Sequence, residues 1–572
     1  MKFNLKNSSH YILVMPFMNL LFMNCYFYMN GLLEWVYLYS WFISICSVLF
    51  DVYVLAFVFT ILTGGRIKMA CAITQLVTLV WSLINTFYGR FFFQYISLSA
   101  FGEAQSLQDS IVIKSIMSGI SWYDLFYIIS IVIFIFQYRR IPQIRYDFRS
   151  HAKMLIVPII TLVLSCSVYT VYHFIHPRYR NNLQLYVDRL NEFLFDGFRA
   201  GTPNLAHFQA GSIRVIITEI HDQSIRKELS EGQRALITNY YQDLSERTTQ
   251  HSPNENLKNV IFIILESFLS SPIDLTVDGK EITPFLNSLK RDTCVYYNGR
   301  MLSDITCGES GDGQFIYMNG ILPLRNRITV GHIKNNTFPS LPGLLKKYYG
   351  IRQTEIFVPS RPNLWQQSDM NEVYGISKMF SQLDIDAEES VDDEKIFKFA
   401  SANMGKTKEP FFSMILSISG HNPYDNFYGE DIMRDSKSFS KEYRNYLNTC
   451  HYTDIHLKHF IEAIKQKDLY NQSLIIIAAD HNAHLSQLKM DKKITEHIPL
   501  FIINGRINSS AWSGEMRQLD VYTTILDILN INSNWRGLGH TILSPNYHNS
   551  VNDHVYELSE MIIEGDYFKD IK

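Results

Sequence analysis

The apolar positions of this chain fall into two regimes. Through residue 175 they form long windows, and beyond it they form short runs separated by amphipathic stretches. A transmembrane helix needs about 20 mostly apolar residues. Five windows have that character, at 11–29, 41–62, 69–89, 122–138 and 154–175. Pro16, Asn19 and Asn24 interrupt the first. No small-residue cleavage site follows it, so it reads as a retained span rather than a removable leader.

Past residue 257 the pattern changes to apolar runs of strand length alternating with amphipathic helices, the signature of an α/β domain. Strands are expected at 259–265, 354–358, 411–418, 473–479 and 498–503, and helices at 284–292, 341–349, 443–466 and 519–529. The expected layout is a membrane domain (1–175), a helical juxtamembrane connector (176–257), an α/β catalytic domain (258–545) and a C-terminal extension (546–572), strand or otherwise. In the connector, 182–195 and 225–243 read as helices.

Basic residues set the expected orientation. Lys2 and Lys6 precede the first span. Arg66 and Lys68 lie between the second and third, and Arg139, Arg140, Arg145, Arg149 and Lys153 between the fourth and fifth. The positive-inside rule makes these segments cytoplasmic, and an odd number of spans puts everything after 175 outside. Asp51 falls inside the second span, where a carboxylate is either functional or paired with a neighbouring helix. The aromatic stretch 90–101 is too short to span and suits the outer membrane interface.

Composition adds limits. A 572-residue chain is too long for one ordinary domain. A net charge of −3 gives no basic field for nucleic acid. The seven cysteines form no disulfide framework and no CxxC zinc motif; one bridge among Cys294, Cys307 and Cys450 is left open.

The chemistry sits at the ends of two strands. Asn259–Leu265 ends in Glu266, and Ser473–Ala479 ends in Asp480-His481. Ligands of open α/β sheets bind beyond the carboxyl ends of strands, so these side chains are expected to meet at one rim. Between them lies Cys307-Gly-Glu-Ser310-Gly-Asp-Gly-Gln314. Ser310 reads either as a helix N-cap or as a nucleophile at a positive helix end. Position 312 is Asp, so the segment is not a GxSxG elbow. A divalent cation held by Glu266, Asp480 and His481 against the Ser310 hydroxyl would activate it. His421 and His497 follow or precede strands and read as phosphate or metal contacts; His484 reads as structural.

The ordered set Glu266, Pro284-Phe-Leu, the glycine-rich hydroxyl segment, Ser-Gly-His421-Asn-Pro-Tyr, Ala-Asp480-His481 and His497-Ile-Pro-Leu resembles the sulfatase/alkaline phosphatase superfamily. Five amino-terminal spans before such a domain resemble its lipoteichoic acid synthase and phosphoglycerol transferase group. The resemblance implies an alkaline-phosphatase-like domain with a central, mostly parallel sheet. It implies a catalytic Ser310 where the family usually has threonine, with Glu266, Ser310, Asp480 and His481 as metal ligands and manganese as the favoured ion, zinc the alternative. Trp365 in Pro362-Asn-Leu-Trp-Gln-Gln367 matches the family's substrate segment, and His421, His497 and Gln367 complete the expected substrate contacts. Glu309 stands where the family often has lysine, and Gln367 where arginine is common. His497 before Ile-Pro-Leu is closer to phosphoethanolamine transferases. Cys307 lacks the Cys-x-Pro-x-Arg context of formylglycine sulfatases.

The implied activity is transfer of phosphoglycerol from a phospholipid donor to a glycan or glycolipid acceptor at the outer face of a bacterial cytoplasmic membrane, without nucleic acid. Phosphoethanolamine transfer is the alternative. A sulfatase-family hydrolase or a non-catalytic tethered binding protein is the second alternative.

Overall fold

The computed structural model describes residues 11–571 apart from 34–35, 93, 99–118, 141, 147–152, 176–186, 188–202, 225–227, 246–250, 326, 407–408, 423, 435, 437–438, 486–487, 489–494, 508–510 and 550–553. The expected helix at 182–195 lies almost wholly outside the described residues. Two compact units emerge, one from 1–101 with 114–225, the other from 226–572 with 102–113.

The first unit is helical: α1 (Val14–Met29), α2 (Leu38–Leu62), α3 (Ile67–Phe92), α4 (Leu125–Arg140), α5 (Ile156–Ile175), α6 (Pro203–Ala210) and α7 (Ser212–Ser224). Among the described residues, four helices are long and apolar enough to cross a membrane: Tyr11–Met29, Leu38–Leu62, Ile67–Arg90 and Trp122–Arg140. The expected fifth span is present as α5, but its described apolar stretch, Ile156–Tyr172, is shorter than those four. It runs antiparallel to α2, since Tyr172 near its end stacks on Tyr39 near the start of α2, with ring centroids 3.7 Å apart.

Polar residues that weakened the first span in the sequence face neighbouring helices. Asn19 bonds Gln75 of α3 (3.3 Å) and accepts from Ser130 of α4 (2.6 Å), while Asn24 donates to Ser44 of α2 (2.9 Å). Such pairs join helices where apolar lipid gives them no hydrophobic drive to associate. Tyr95, expected at the lipid interface, turns inward instead. It is 1% exposed, stacks on Phe27 at 3.7 Å and donates to Asn24 Oδ1 at 2.9 Å. The buried amide needs a partner, and that need overrides the ring's interfacial preference.

The second unit begins with α8 (Glu231–Ser245) and is built on an eight-stranded sheet. Its strands are β1 (Asn259–Leu265), β4 (Val295–Leu302), β5 (Gln353–Phe357), β6 (Lys378–Phe380), β7 (Phe411–Leu416), β8 (Ser473–Ala479), β9 (Ile498–Ile503) and β10 (Met516–Arg517). β2 (Thr276–Val277) and β3 (Lys280–Glu281) form a separate hairpin. The order is β10-β4-β9-β8-β1-β7-β5-β6. Only β9 runs against the others among these strands. β1 and β8 are buried at every position. That burial accounts for their unbroken apolar sequence, since a central parallel strand is covered on both faces.

Three strands absent from the sequence reading lie at or near the sheet's edges: β4, β6 and β10. β4 carries Asn298-Gly299, a register irregularity between Asn298 and Met301 and a half-exposed face, so its pattern is not apolar enough to stand out. The tail forms a helix, α15 (Val555–Glu564), whose Glu560 and Glu564 pair with Arg325 (2.9 Å) and Arg327 (3.1 Å). The helices between are α9 (Pro284–Arg291), α10 (Ser310–Asn319), α11 (Gln367–Tyr374), α12 (Asp393–Asn403), α13 (Lys441–Gln466) and α14 (Asp520–Ile528). All seven cysteines are free, so the open bridge among Cys294, Cys307 and Cys450 is not formed.

Candidate active site

β1 and β8 are neighbours in parallel register, with Leu265 opposite Ala479. Glu266 and Asp480 therefore leave adjacent strands side by side, and His481 follows. One ligand atom from each of Glu266, Asp480 and His481 lies within 4.8 Å of the others, and all three residues are buried. Asp480 Oδ1 accepts the backbone N–H groups of Ser267 (2.9 Å) and His481 (2.7 Å), which leaves Oδ2 to face the His481 Nε2 atom at 3.7 Å. His481 Nδ1 sits 2.8 Å from the Asn482 carbonyl oxygen. A proton on Nδ1 donates there, so in the neutral ring the lone pair is on Nε2, facing the carboxylates.

The fourth residue arrives on α10. Ser310 opens that helix, and its Oγ donates to Glu266 Oε2 at 2.9 Å and lies 3.2 Å from His481 Nε2. The helix reaches the strand ends through glycine. A Cβ on Gly313 would lie 2.5 Å from the Asp480 carbonyl oxygen, too close for any side chain. Tyr317, one turn on, donates to the Ala479 carbonyl (2.6 Å), and Gln518 donates to the Asp480 carbonyl (2.7 Å). The preceding loop is tied by Asp312, which accepts from the Thr306 N–H (2.9 Å), the Thr306 hydroxyl (2.9 Å) and the Gly308 N–H (2.8 Å).

Without a cation the cluster competes for protons. Burial would raise the Glu266 carboxyl, but the His481 ring holds it below the usual carboxylate range. Burial and then the Glu266 charge push Asp480 up. Burial would lower His481, yet Asp480, Glu266 and Glu309 together raise it well above an ordinary imidazole. Two carboxylates and an imidazole nitrogen, converging in a buried site beside a hydroxyl, are a donor set that suits a divalent cation with mixed O and N ligands. Glu266, Asp480, His481 and Ser310 are the residues that would hold it.

The outer residues separate into two groups. Trp365 stacks on His421, centroids 5.8 Å apart at 24°, so the two expected substrate residues form one surface. Trp365 and Gln366 both have positive φ (51° and 57°), a backbone that side chains rarely adopt. His497 precedes β9, whose reversal brings its start to the rim where β8 ends, and its Nε2 faces Glu515 at 3.5 Å. Gln367 is not brought to this surface. It is 3% exposed and paired amide to amide with Gln314 of α10 (3.1 and 3.2 Å) and with Asn371 (2.9 Å). Its place is behind α10, where every polar atom of the pair is satisfied.

Three contributors went unassigned in the sequence. Asp312 was visible only as the residue that breaks GxSxG. Gly420, whose Cβ would collide with the Glu266 carbonyl oxygen, lets the segment before His421 lie against β1. Glu309, with φ 47°, puts Oε2 3.9 Å from His481 Nδ1 and 3.8 Å from His484 Nε2. Burial pushes Glu309 up to about 7 and lowers His484 to about 3.

Comparison with known proteins gives the same direction. The sulfatase family matches residues 258–531. The chain is 27% identical over 296 residues to lipoteichoic acid synthase 2 of Bacillus subtilis, covering 48% of this chain and 45% of the relative. It is 23% identical over 503 residues to the lipoteichoic acid synthase of Staphylococcus saprophyticus, covering 82% of this chain and 73% of the relative. The chain thus spans less than half of the Bacillus protein's length. These relatives bear out the narrower resemblance to the lipoteichoic acid synthase group. Among solved structures, the lipoteichoic acid synthase LtaP of Listeria monocytogenes aligns over 54% of this chain and 81% of its own, at 19% identity and a TM-score of 0.44.

Proposed function

We propose that this chain is a membrane-anchored, metal-dependent phosphotransferase that moves a phosphoglycerol headgroup from a phospholipid to a hydroxyl of a glycan or glycolipid. The observation that carries the reading is the Ser310 hydroxyl, set at the start of α10 and within 3.2 Å of both Glu266 and His481. A divalent cation bound by Glu266, Asp480, His481 and Ser310 would supply Lewis-acid chemistry, lowering the pKa of the hydroxyl and offsetting phosphate charge. Manganese is favoured and zinc is the alternative.

Ser310 Oγ attacks the phosphorus of the donor. The Oγ–P bond forms as the bond to the diacylglycerol oxygen breaks, and the serine proton ends on diacylglycerol. The headgroup phosphate is then carried on Ser310, with the N–H groups at the start of α10 beside it. An acceptor hydroxyl attacks in line, gives up its proton and expels Ser310, which regains one. The stacked Trp365–His421 surface receives the headgroup, and His497 contacts the phosphate from the β9 side.

Membrane placement follows the basic residues. Arg145 donates to the Gly64 carbonyl (3.1 Å), so the Arg66 and Arg145 loops share one end of the bundle. We take that end as cytoplasmic, with five spans, an outer catalytic domain and a bacterial cytoplasmic membrane as the site of action.

A second reading, phosphoethanolamine transfer, is favoured by Glu309. A carboxylate in place of the family's lysine suits a cationic headgroup better than a neutral one. The test is incubation of the full chain in vesicles with headgroup-labelled phosphatidylglycerol or phosphatidylethanolamine, with the adduct mapped by mass spectrometry. Label on Ser310 from phosphatidylglycerol alone is expected. Label from phosphatidylethanolamine alone would select the second reading, and label elsewhere would remove Ser310 as nucleophile.

A further inference from the structure

The segment 203–224 was expected to be a juxtamembrane connector. Its contacts within the first unit are those of an element inside a helical bundle. Five of the seven residues from Asn204 to Ala210 are less than 5% exposed: Ala206, His207, Phe208, Gln209 and Ala210. A connector lying on a surface would keep one polar face in water.

The contacts also follow an order of depth. Asn204 donates to the Leu32 carbonyl (2.8 Å), just outside the start of α2. Gln209 donates to Ser40 (3.0 Å) and its backbone carbonyl accepts from Ser47 (2.6 Å), in the first and the third turn of that helix. Ser212 N–H donates to Asp51 Oδ2 (2.7 Å), and Trp81 Nε1 donates to Ser212 Oγ (2.8 Å). Asp51 lies about 20 Å along α2 from its start, at 1.5 Å per residue, near the middle of a hydrocarbon core about 30 Å thick. The chain then returns, because Glu219 accepts the Leu98 N–H (2.7 Å) in the loop that follows α3 at the starting end.

The turn itself explains Asp51. Gly211 has φ 80°, and a Cβ there would meet both Asp51 oxygens at about 3 Å. The helix breaks at this point and leaves unsatisfied N–H groups at the start of α7. Away from water these need a protein acceptor, and broken backbone at membrane depth is tolerated only where protein supplies one. Asp51 does so from α2, and Arg214 contributes a compensating positive charge nearby. Meanwhile Ile217 (60%) and Ile220 (55%) are exposed on the outward face of α7, with His221 exposed beside them in its last turn.

We propose that residues 203–224 form a re-entrant membrane hairpin, entering and leaving at the end where α5 terminates, with Asp51 capping its inner helix and Ile217 and Ile220 facing lipid acyl chains. The occupant of that face is the bilayer interior, since the same helix is anchored on its other side at mid-span depth.

The test uses the full chain in phospholipid vesicles that contain a lipid with a photoreactive diazirine midway along one acyl chain. After irradiation, adducts are mapped by mass spectrometry. Adducts on Ile217 or Ile220, alongside those on α2 and α3 and without any on α8, are expected. Labelled spans with an unlabelled 212–224 would overturn the proposal. Asp51→Asn keeps a capping oxygen and is expected to retain the α7 adducts, whereas Asp51→Ala is expected to lose them while the spans stay labelled. Equal labelling of α7 in both variants would remove Asp51 from its role as the cap.

Discussion

Gly313 lies so close beneath Asp480 that even a methyl group would meet its carbonyl oxygen at 2.5 Å. Through this contact the helix carrying the hydroxyl is seated on the strand carrying two of the ligands. Gly313→Ala must push α10 away from β8, and Ser310 moves with it. A displacement of about 1 Å at a reacting group can cost about a hundredfold in rate. Activity is therefore expected to fall by at least that much, with a loss of melting temperature of only a few degrees, checked by turnover and thermal unfolding on the same preparation.

Ser310→Ala removes the proposed nucleophile and is expected to lower transfer by on the order of 10⁴-fold or more, with no covalent adduct. Ser310→Thr keeps the alcohol, so adduct formation is expected to persist. Mass spectrometry of the trapped protein decides both; an inactive threonine variant with an intact fold would count against the alcohol as the reacting group.

Cation binding should depend on pH in a definite direction. Asp480 and His481 both hold protons more tightly than usual in the cation-free cluster. A cation must displace those protons, so affinity is expected to weaken as pH falls and to strengthen as it rises. Calorimetry in buffers of different ionisation enthalpy should register proton release on binding manganese or zinc. Chelation is expected to stop turnover while the circular dichroism spectrum is retained, because Glu266, Asp480 and His481 stand on a sheet whose core does not include the ion.

Asp312→Asn keeps an oxygen for the three donors that Oδ2 accepts, but puts an NH₂ at the buried position of Oδ1, which has no hydrogen-bond partner. Leaving a buried polar group unmatched costs about 1–3 kcal/mol. A lower unfolding midpoint and slower turnover are expected with cation affinity nearly unchanged, since Asp312 is no part of the donor set. A variant that loses the cation outright would show that the loop acts on the ligands directly.

Much of the site was legible because its residues close long apolar runs. Glu266 and Asp480-His481 follow strands buried at every position, so pattern alone located them. β4 escaped because a bulged, half-exposed strand carries no periodicity to find. Gln367 was misplaced for a different reason: sequence order gave its neighbourhood, yet the direction of its side chain is set by Gln314, fifty-three positions away. Residues 203–224 read as a connector because their short polar helices lack the length of a span. Only the contacts to Asp51, Ser40 and Ser47 reveal where they sit.

The pairing of Leu265 with Ala479 has a bearing on how such a domain can diversify. Two ligands that leave adjacent central strands at the same level keep their spacing whatever happens to the loops beyond them. The segments bearing Trp365, His421 and His497 can thus be exchanged, lengthened or recharged without moving Glu266 or Asp480. Under the proposed function, new headgroups become accessible by altering the rim while the proposed reactive centre is inherited intact.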